Sequence, residues 1–246
     1  SINAINCGKY YLRTSPELFH KKILSKGYQK IFEIGKCFRE GEIGDFHNPE
    51  YTMLEWYRVN SSYKTMLDET YNLIIFLLNK LSKSLPIKRI FSVRDIFMEL
   101  DYWDPIESYH AKRFDEVLVN KIEPYFKKLG GIIFLKDYPV EACALAKISG
   151  DKQKIAERWE LYLDGLEIAN AYSELTDPEE QRKRFISCQN KRLHAGQVAY
   201  EIDEEFIQSL NDINEAGGCA LGVDRLLAWI CNEDNIDNFV YRDIFK

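Results

Sequence analysis

Residues 158–170 read Arg-Trp-Glu-Leu-Tyr-Leu-Asp-Gly-Leu-Glu-Ile-Ala-Asn. Apolar and polar side chains alternate on both sides of Asp164-Gly165. Asp-Gly between two alternating runs is typical of a β-hairpin closed by a two-residue type I′ turn. The sequence therefore predicts an antiparallel pair of strands at residues 158–163 and 166–170.

The predicted turn determines which side chains share a face of the hairpin. It pairs Tyr162 with Glu167 and Glu160 with Ala169, so that Glu160 and Glu167 become diagonal neighbours about 7–8 Å apart. Two carboxylates at that separation repel each other unless a cation lies between them, and oxygen-only ligands suit Mg²⁺. The hairpin therefore predicts either a magnesium site or an exposed acidic face.

Hydrophobic periodicity predicts further strands and helices along the rest of the chain. We expect helices at residues 15–26, 63–81, 111–129, 179–195, 203–212 and 223–231, and strands at residues 30–38, 51–59, 88–93, 132–135 and 217–222. Because hairpins occur among these elements, an α+β fold with an antiparallel sheet flanked by helices fits better than βαβ winding. We expect a single domain over residues 1–246.

Composition excludes several classes of protein. The 246 residues carry a net charge of −6 and contain no apolar run near the roughly 18–20 residues that span a bilayer. Six scattered cysteines without a CxxC pair argue against a zinc site or a disulfide framework and favour the reducing cytoplasm. The acidic balance argues against nucleic acid as the main partner.

A glycine-bearing loop between two predicted strands carries residues suited to phosphate. Arg39 ends one strand beside His47 and Asn48, and a planar guanidinium can hold a phosphate in two hydrogen bonds. On the next strand, alternation places Glu55 and Tyr57 on one face. The alternative interpretation is a solvated hairpin tip.

Two helix starts carry further candidate residues. Residues 14–17, Thr-Ser-Pro-Glu, place a carboxylate and free N–H groups at a helix start, or form an ordinary N-cap. Residues 218–225, Gly-Cys-Ala-Leu-Gly-Val-Asp-Arg, let a ligand approach the backbone and place Arg225 at the start of a helix. The alternative for the second segment is tight packing of the helix on the strand.

In this order, the segments resemble the catalytic core of class II aminoacyl-tRNA synthetases, in particular the lysyl branch. Residues 11–18 resemble the entry to the lysine-site helix, residues 38–57 resemble motif 2, and residues 218–225 resemble motif 3. Within this branch the sequence is most similar to the elongation factor P–(R)-β-lysine ligase family. The chain ends about 20 residues after motif 3, shows no N-terminal OB-fold anticodon domain, and has Ala220 where lysyl-tRNA synthetases carry Gly.

The resemblance implies a role for each matching residue. Arg39 and Arg225 would be catalytic, holding the α-phosphate with the substrate carboxylate and the γ-phosphate, respectively. Glu160 and Glu167 would hold Mg²⁺. The nucleotide pocket would contain Arg39, Glu40, Gly41, His47, Asn48, Glu160, Leu161, Gly222 and Arg225. The lysine pocket would contain Ser15, Pro16, Glu17, Glu55, Tyr57, Glu167, Asn170, Tyr172, Glu174 and Ala220.

The implied reaction is ATP-dependent activation of lysine or (R)-β-lysine as an aminoacyl-adenylate and its transfer to a lysine side chain of elongation factor P. One alternative is the core of a lysyl-tRNA synthetase that charges tRNA-Lys, although tRNA is the less favoured acceptor. Another is a non-catalytic paralogue that binds lysine or adenylate.

The sequence departs from the family pattern in four ways. Gly41 replaces a Glu, and Ala171 replaces a Gly. Strict alternation puts Asn170, Tyr172 and Glu174 on the face opposite Glu167, so that one pocket requires a β-bulge. No motif 1 helix precedes residue 1, and the family's dimer interface lies in that motif. We therefore expect a fragment or shortened form, and a homodimer where that region is present.

Overall fold

The computed structural model describes residues 2–143, 145–150 and 154–240. They divide into two compact units. The first contains the described residues of Ser1–Tyr57, Asp177–Ile213 and Ala220–Lys246, and the second contains those of Arg58–Thr176 and Asn214–Cys219. The expectation of one domain over residues 1–246 stays a prediction.

The predicted strands and helices are all present in the described residues. The strands are β1 (Asn6–Cys7), β2 (Tyr10–Tyr11), β3 (Lys30–Phe38), β4 (Glu50–Val59), β5 (Lys88–Ser92), β6 (Ile132–Pro139), β7 (Ile155–Leu163), β8 (Leu166–Ser173) and β9 (Ala216–Gly222). The α-helices are α1 (Glu17–Leu24), α2 (Tyr63–Lys80), α3 (Val93–Asp101), α4 (Ala111–Val117), α5 (Glu123–Leu129), α6 (Pro178–His194), α7 (Glu204–Ser209) and α8 (Val223–Cys231). Strand β3 and helix α8 begin and end at the predicted residues.

Seven strands form one mixed sheet in the order β3-β4-β9-β8-β7-β6-β5, while β1 pairs with β2. The first unit holds β3, most of β4 and the end of β9; the second holds the start of β9 and the strands from β8 to β5. The predicted antiparallel pairing of β7 with β8 is confirmed; β6 also pairs antiparallel with β7, whereas β5 and β6 run parallel, so the sheet is mixed. A parallel pair needs a long crossover, which α3, α4 and α5 supply.

The helix predicted over residues 111–129 is interrupted. A π-helical turn, Leu118–Ile122, separates α4 from α5. Pro124 lies in the first turn of α5. Because Pro has no N–H and its ring clashes with the carbonyl four residues earlier, the backbone widens just before it.

The second unit has an aromatic core. Phe97 stacks on Phe114 with ring centroids 4.7 Å apart, and Phe126 packs edge-on against Tyr162 at 5.3 Å. The first four residues of β6, Ile132–Leu135, are completely buried. This packing fixes β7 and the ring of Tyr162, which belongs to the candidate site.

In the first unit, α1 packs against α7. Lys22 Nζ lies 2.7 Å from Asp203 at the start of α7. Lys21 is completely buried, with Nζ 2.6 Å from Glu17 Oε1 and 6.0 Å from the ring centroid of Phe206. These contacts hold α1, which begins at the candidate residue Glu17. Within the described residues, no helix combines the length and hydrophobicity needed to span a bilayer.

Candidate active site

The hairpin of β7 and β8 has the predicted turn. Asp164 and Gly165 both have positive φ angles, of 48° and 84°, as a type I′ turn requires. Tyr162 lies opposite Glu167, as predicted. The start of the hairpin is therefore regular.

One step further along β8, Ile168 is an extra residue. The register shifts so that Leu161 lies opposite Ala169 and Glu160 lies opposite Asn170. The predicted pairing of Glu160 with Ala169 is therefore wrong. The reason is a β-bulge, in which two residues of one strand oppose one residue of its partner.

The bulge gathers predicted site residues on one face. In an antiparallel pair, directly opposite residues project to the same side. Asn170 therefore shares a face with Glu160, and Tyr172, which lies opposite Arg158, shares it as well. Glu167 precedes the bulge and lies on this face too. The bulge required by the family resemblance is confirmed for Asn170 and Tyr172.

Three donors hold the buried carboxylate of Glu160. Oε2 accepts hydrogen bonds from the hydroxyls of Tyr138 at 2.5 Å and Tyr162 at 2.7 Å, and Oε1 accepts from Arg158 Nη2 at 2.5 Å. Burial, reinforced by the charge of Glu160, raises the pKa of both tyrosines well above its usual range. The hydroxyls therefore stay protonated and keep donating.

Arg158 joins Glu160 to Asn170. Its Nε donates to Asn170 Oδ1 at 2.8 Å, and its Nη1 donates to the carbonyl of Ala142 at 3.1 Å. Since Arg is only a donor, this contact assigns Oδ1 and leaves the Asn170 amide nitrogen as the donor end of the side chain. Burial lowers the pKa of Arg158, but the charge of Glu160 together with Cys143 and Tyr138 raises it by more, so the net shift is upward.

Leu161 and Glu174 are the two other predicted site residues of the second unit. Leu161 is buried on the face opposite Glu160, so that only its backbone can reach a ligand on the Glu160 face. Glu174 follows the end of β8, is buried, and donates its backbone N–H to the carbonyl of Ala216 at 2.8 Å.

In the first unit, the buried side chain of Glu55, a residue of β4, lies near the start of α1. Glu55 is 1% exposed and shares the predicted face of β4 with Tyr57. Oε2 accepts from Ser15 Oγ at 2.8 Å, and Oε1 accepts from the Tyr57 hydroxyl at 2.5 Å. Pro16 is the N-cap of α1 and makes no side-chain cap bond. Ser15 therefore serves Glu55 and the backbone N–H of Glu17 at 3.0 Å, rather than an ordinary N-cap.

The surroundings of Glu55 keep a proton on it near neutral pH. Burial raises its pKa to about 7, and the charge of Glu17 adds to the rise. Hydrogen bonds from Tyr57 and Ser15 and the charge of Lys21 act in the opposite direction. A carboxyl poised in this way favours a cationic ligand, since an ammonium group stabilises its charged form.

Arg39 follows β3 with its guanidinium 5.0 Å from the ring centroid of Tyr51. Nη1 lies 3.6 Å from Glu42, while Nε is buried and has no hydrogen-bond partner among the described residues. An orphaned buried donor is costly and suits an anionic ligand. Gly41 has φ +78°, so this turn requires Gly for its conformation, whereas a Cβ would meet no atom within 4 Å.

The side chain of Arg225 contacts the loop that precedes β4. Its Nε donates to the Phe46 carbonyl at 3.0 Å, and Nη2 donates to His47 Nε2 at 2.7 Å. Burial and then the charge of Arg225 lower the pKa of His47, which keeps its ring neutral and able to accept. Asn48 Nδ2 donates to the Glu50 carbonyl at 2.6 Å and closes the loop.

The end of β9 leads directly into α8. Ala220 is half-buried in the strand, and Gly222 is the N-cap of α8. Asp224 Oδ2 accepts from the backbone N–H of Thr52 at 2.7 Å, which ties α8 to β4.

Glu160 and Glu167 offer only oxygen ligands. Among residues 2–143, 145–150 and 154–240, no three His, Cys, Asp or Glu side chains are grouped to hold a metal. Oε2 of Glu160 already accepts two hydrogen bonds, while Oε1 accepts one and keeps a lone pair. This pair fits Mg²⁺, which uses one or two carboxylates and completes its shell with water and substrate phosphates.

An open depression on the surface of the first unit runs along α6. It is lined by Lys183, Ile186, Ser187, Asn190, Lys191, His194 and Ala195. The predicted site residues lie elsewhere.

Comparison with known proteins identifies the family. Residues 2–241 match the family described as tRNA synthetases class II (D, K and N). The chain belongs to this family. It is 32% identical to the elongation factor P–(R)-β-lysine ligase of Proteus mirabilis, over 97% of this chain and 78% of that protein. It is 35% identical to the ligase of the same name from Vibrio cholerae, over 92% and 75%. Lysine–tRNA ligase 2 of Methanosarcina acetivorans is 36% identical over 94% of this chain and 51% of that protein.

Sequence reasoning located the class II motifs but missed residues that hold them in place. Arg158 stands two positions from Glu160, and a same-face Arg–Glu spacing on a strand is a signal that could have found it. Tyr138 comes from another strand, so no local spacing connects it to Glu160. Asp224 gave no signal beyond lying in the segment that resembles motif 3, and His20 gave none beyond lying in a predicted helix.

Proposed function

We propose that this chain is an ATP-dependent ligase that activates lysine or (R)-β-lysine as an aminoacyl-adenylate and transfers it to a lysine side chain of elongation factor P. The bulged hairpin carries the proposal, because it brings Glu160, Glu167, Asn170 and Tyr172 to one face as this chemistry requires. Relatives named elongation factor P–(R)-β-lysine ligase, similar over more than nine tenths of the chain, support it.

The substrate's ammonium groups are recognised by carboxylates. Glu55 is the strongest candidate, because it is buried, oriented by Ser15 and Tyr57, and gains its charge when a cation binds. Glu17 and Glu174 are the other proposed acidic contacts. A buried carboxylate distinguishes a diamino acid from an apolar amino acid, because an apolar side chain leaves it without a partner.

The substrate carboxylate is held by nitrogen donors. Asn170 presents its amide nitrogen, since Arg158 occupies its oxygen. Arg39 supplies a planar guanidinium whose Nε has no partner among the described residues. We assign to Arg39 the α-phosphate and the charge that develops there, and to Arg225 the γ-phosphate. Tyr172 and Ala220 shape the lysine pocket, and Pro16 sets the entry into α1.

The remaining proposed ATP contacts belong to the loop after β3 and to the start of α8. They are Glu40, Gly41, His47, Asn48 and Gly222, together with the backbone of Leu161. Glu160 and Glu167 would hold Mg²⁺, which neutralises phosphate charge when bound. Positioning and charge neutralisation then supply most of the catalysis.

The reaction has two balanced steps. An oxygen of the lysine carboxylate attacks the α-phosphorus of ATP, the bond to the β-phosphate breaks, and pyrophosphate leaves. The ε-amine of the acceptor lysine then attacks the acyl carbon of the adenylate. An amide forms, the amine loses a proton, and AMP leaves.

A lysine–tRNA ligase is the second candidate. The Methanosarcina relatives of that name are 34% and 36% identical, so overall identity does not favour one acceptor. Ala220 favours elongation factor P, because the resemblance associates Ala at this position with that ligase family. The net charge of −6 also suits a protein acceptor better than tRNA.

The test is amino-acid-dependent exchange of pyrophosphate into ATP, with (R)-β-lysine and α-lysine measured side by side in Mg²⁺. We expect exchange with a preference for (R)-β-lysine, followed by label transfer to elongation factor P and not to tRNA-Lys. Preference for α-lysine with transfer to tRNA would establish the second candidate. Folded protein without exchange would overturn both and leave a binding paralogue.

We also propose that two copies associate in the cytoplasm where the motif 1 region is present, and that β3 contributes to their contact. This strand is at the edge of the sheet, and Phe32 and Ile34, on one face of it, are 73% and 60% exposed. Exposed apolar side chains on an edge strand favour a protein partner. Sedimentation of a protein that includes the motif 1 region, compared with its Phe32→Lys variant, which should associate more weakly, tests this assignment.

A further inference from the structure

His20 is a buried histidine of α1 that the proposed site does not include. Its side chain is 4% exposed. The ring packs edge-on against Tyr57, with ring centroids 5.6 Å apart and planes at 72°. Tyr57 in turn donates to Glu55. His20 is therefore packed against the hydroxyl-bearing ring that orients the proposed ammonium-binding carboxylate.

The two ring nitrogens of His20 have different surroundings. Nε2 lies 3.2 Å from Glu33 Oε2, and a carboxylate only accepts, so Nε2 carries the hydrogen. Arg13 binds the other oxygen of Glu33, and its hydrogen bond lowers the pKa of that carboxyl. Burial, together with the charge of Arg13, lowers the pKa of His20 more than Glu33 raises it, which keeps the ring neutral.

Nδ1 of His20 is consequently a hydrogen-bond acceptor. It is buried and has no hydrogen-bond partner within the described part of the chain. Nearly all buried polar atoms are satisfied, so an unsatisfied one calls for a specific explanation. A neutral imidazole nitrogen can bind an N–H donor, and Glu33 prevents the ring from turning its own hydrogen toward that position.

We propose that Nδ1 of His20 accepts a hydrogen bond from an ammonium group of the diamino acid substrate, alongside Glu55. His20 is then a specificity-determining residue. A substrate nitrogen at this position donates a hydrogen bond to Nδ1, whereas a methylene group there would leave Nδ1 buried without a partner. This inference rests on the proposed function, since it takes a lysine-type substrate as the ligand.

Two amide substitutions separate the ring nitrogens. In His20→Asn the amide places a polar atom near the position of Nδ1, whereas in His20→Gln it places one near Nε2 and can still donate to Glu33. We expect His20→Gln to raise KM for lysine about tenfold or more in ATP–pyrophosphate exchange, with KM for ATP unchanged. His20→Asn should retain most of the wild-type KM.

Lysine analogues that lack one amino group identify the contact. With 2-aminohexanoate and 6-aminohexanoate, the effect of His20→Gln should vanish for the analogue without the contacted nitrogen. The opposite ranking, with Gln like wild type and Asn impaired, would overturn the proposal and assign His20 a positioning role through Glu33. Equal KM values in all three proteins would overturn it as well.

A measurement on the wild-type protein tests the proposal even if the His20 variants fail to fold. The chain has four histidines, so that ¹⁵N-labelled histidine gives few signals to assign. We expect the Nδ1 resonance of His20 to shift when lysine is added without ATP. Lysine-dependent ATP–pyrophosphate exchange without a shift of the Nδ1 resonance would overturn this inference and leave the proposed function intact. Wild-type protein that shows no exchange would overturn the proposed function itself.

Discussion

Nε of Arg158 donates to Oδ1 of Asn170 at 2.8 Å across the bulged hairpin. The same guanidinium binds Glu160, and both side chains of that ion pair are largely buried. One arginine therefore orients a proposed substrate contact and a proposed metal ligand together. We therefore expect the loss of Arg158 to lower stability and to weaken the proposed substrate contact.

Arg158→Met should lower the free energy of unfolding by about 3–5 kcal/mol, because it leaves the charge of Glu160 buried without its cation. Urea denaturation measures this change. The double variant Arg158→Met/Glu160→Gln is the control, and it should recover much of the loss because the uncompensated charge is gone. A double variant no more stable than the single one would contradict this account.

Glu55 should make stability depend on pH. Its folded-state pKa is about 7, whereas the ordinary value is 4.5, so the folded protein keeps a proton that the unfolded chain releases between these pH values. The contribution of Glu55 is fully present below about pH 4.5, falls across this window and is lost above pH 7. Glu55→Gln should therefore be more stable relative to wild type at pH 8 than at pH 5.

The control for Glu55 is Glu204→Gln, on the exposed partner of Arg182. The hydrogen bond from Arg182 lowers the pKa of Glu204, which is the opposite direction. Its substitution should not reproduce the trend. A stability difference between Glu55→Gln and wild type that is constant from pH 5 to pH 8 would refute the assignment.

Arg225→Ala should reduce ATP–pyrophosphate exchange by about a hundredfold or more, because it removes a proposed phosphate contact and two hydrogen bonds to the loop before β4. Circular dichroism should show the fold intact. Arg182→Ala, which removes an exposed arginine of α6, should keep exchange close to wild type. Exchange by Arg225→Ala within a few-fold of wild type would exclude this role.

Ala220→Gly should shift the preference from (R)-β-lysine toward α-lysine by about tenfold in kcat/KM, the typical value of one methyl group in a pocket. Ala171→Gly is a matched control. Ala171 is completely buried opposite Trp159, on the face away from Asn170. It should lower the melting temperature and leave the preference unchanged, and equal shifts in both variants would argue against a pocket role for Ala220.

Gly165→Ala should destabilise the protein more than Gly8→Ala does, by roughly 1–3 kcal/mol. Both glycines have positive φ, so both variants carry the strain of a left-handed residue. A Cβ at Gly165 would also lie 2.7 Å from backbone atoms of Lys127, whereas at Gly8 it would meet nothing within 4 Å. Equal losses in urea denaturation would show that the contact with Lys127 relaxes.

Local sequence patterns predicted the elements of this fold well. The ends of β3 and α8 follow from alternation and from an apolar run after small residues, and Asp164-Gly165 specified its own turn. Pairing between distant strands was harder. The parallel β5–β6 pair depends on where three intervening helices lead the chain, and no local pattern reports that path.

The residues of the candidate site were predicted from the sequence, whereas the residues that contact and orient them were not. Alternation placed Glu55 with Tyr57, because both lie on one strand. It misplaced Asn170 relative to Glu160, because a bulge breaks the period of two without leaving a compositional mark. Tyr138 contacts Glu160 and His20 contacts Tyr57 through tertiary packing, which appears only in the folded chain.

The bulge at Ile168 makes the length of this hairpin as important as its composition. Successive residues of a strand project to opposite faces, so deleting Ile168 would reverse the side on which Asn170 and Tyr172 project while leaving every proposed site residue in the chain. Single-residue insertions and deletions between Gly165 and Asn170 would therefore abolish the arrangement, whereas many substitutions would only weaken it. Ile168 contributes to this arrangement because it adds one residue to β8, whereas its own side chain is buried.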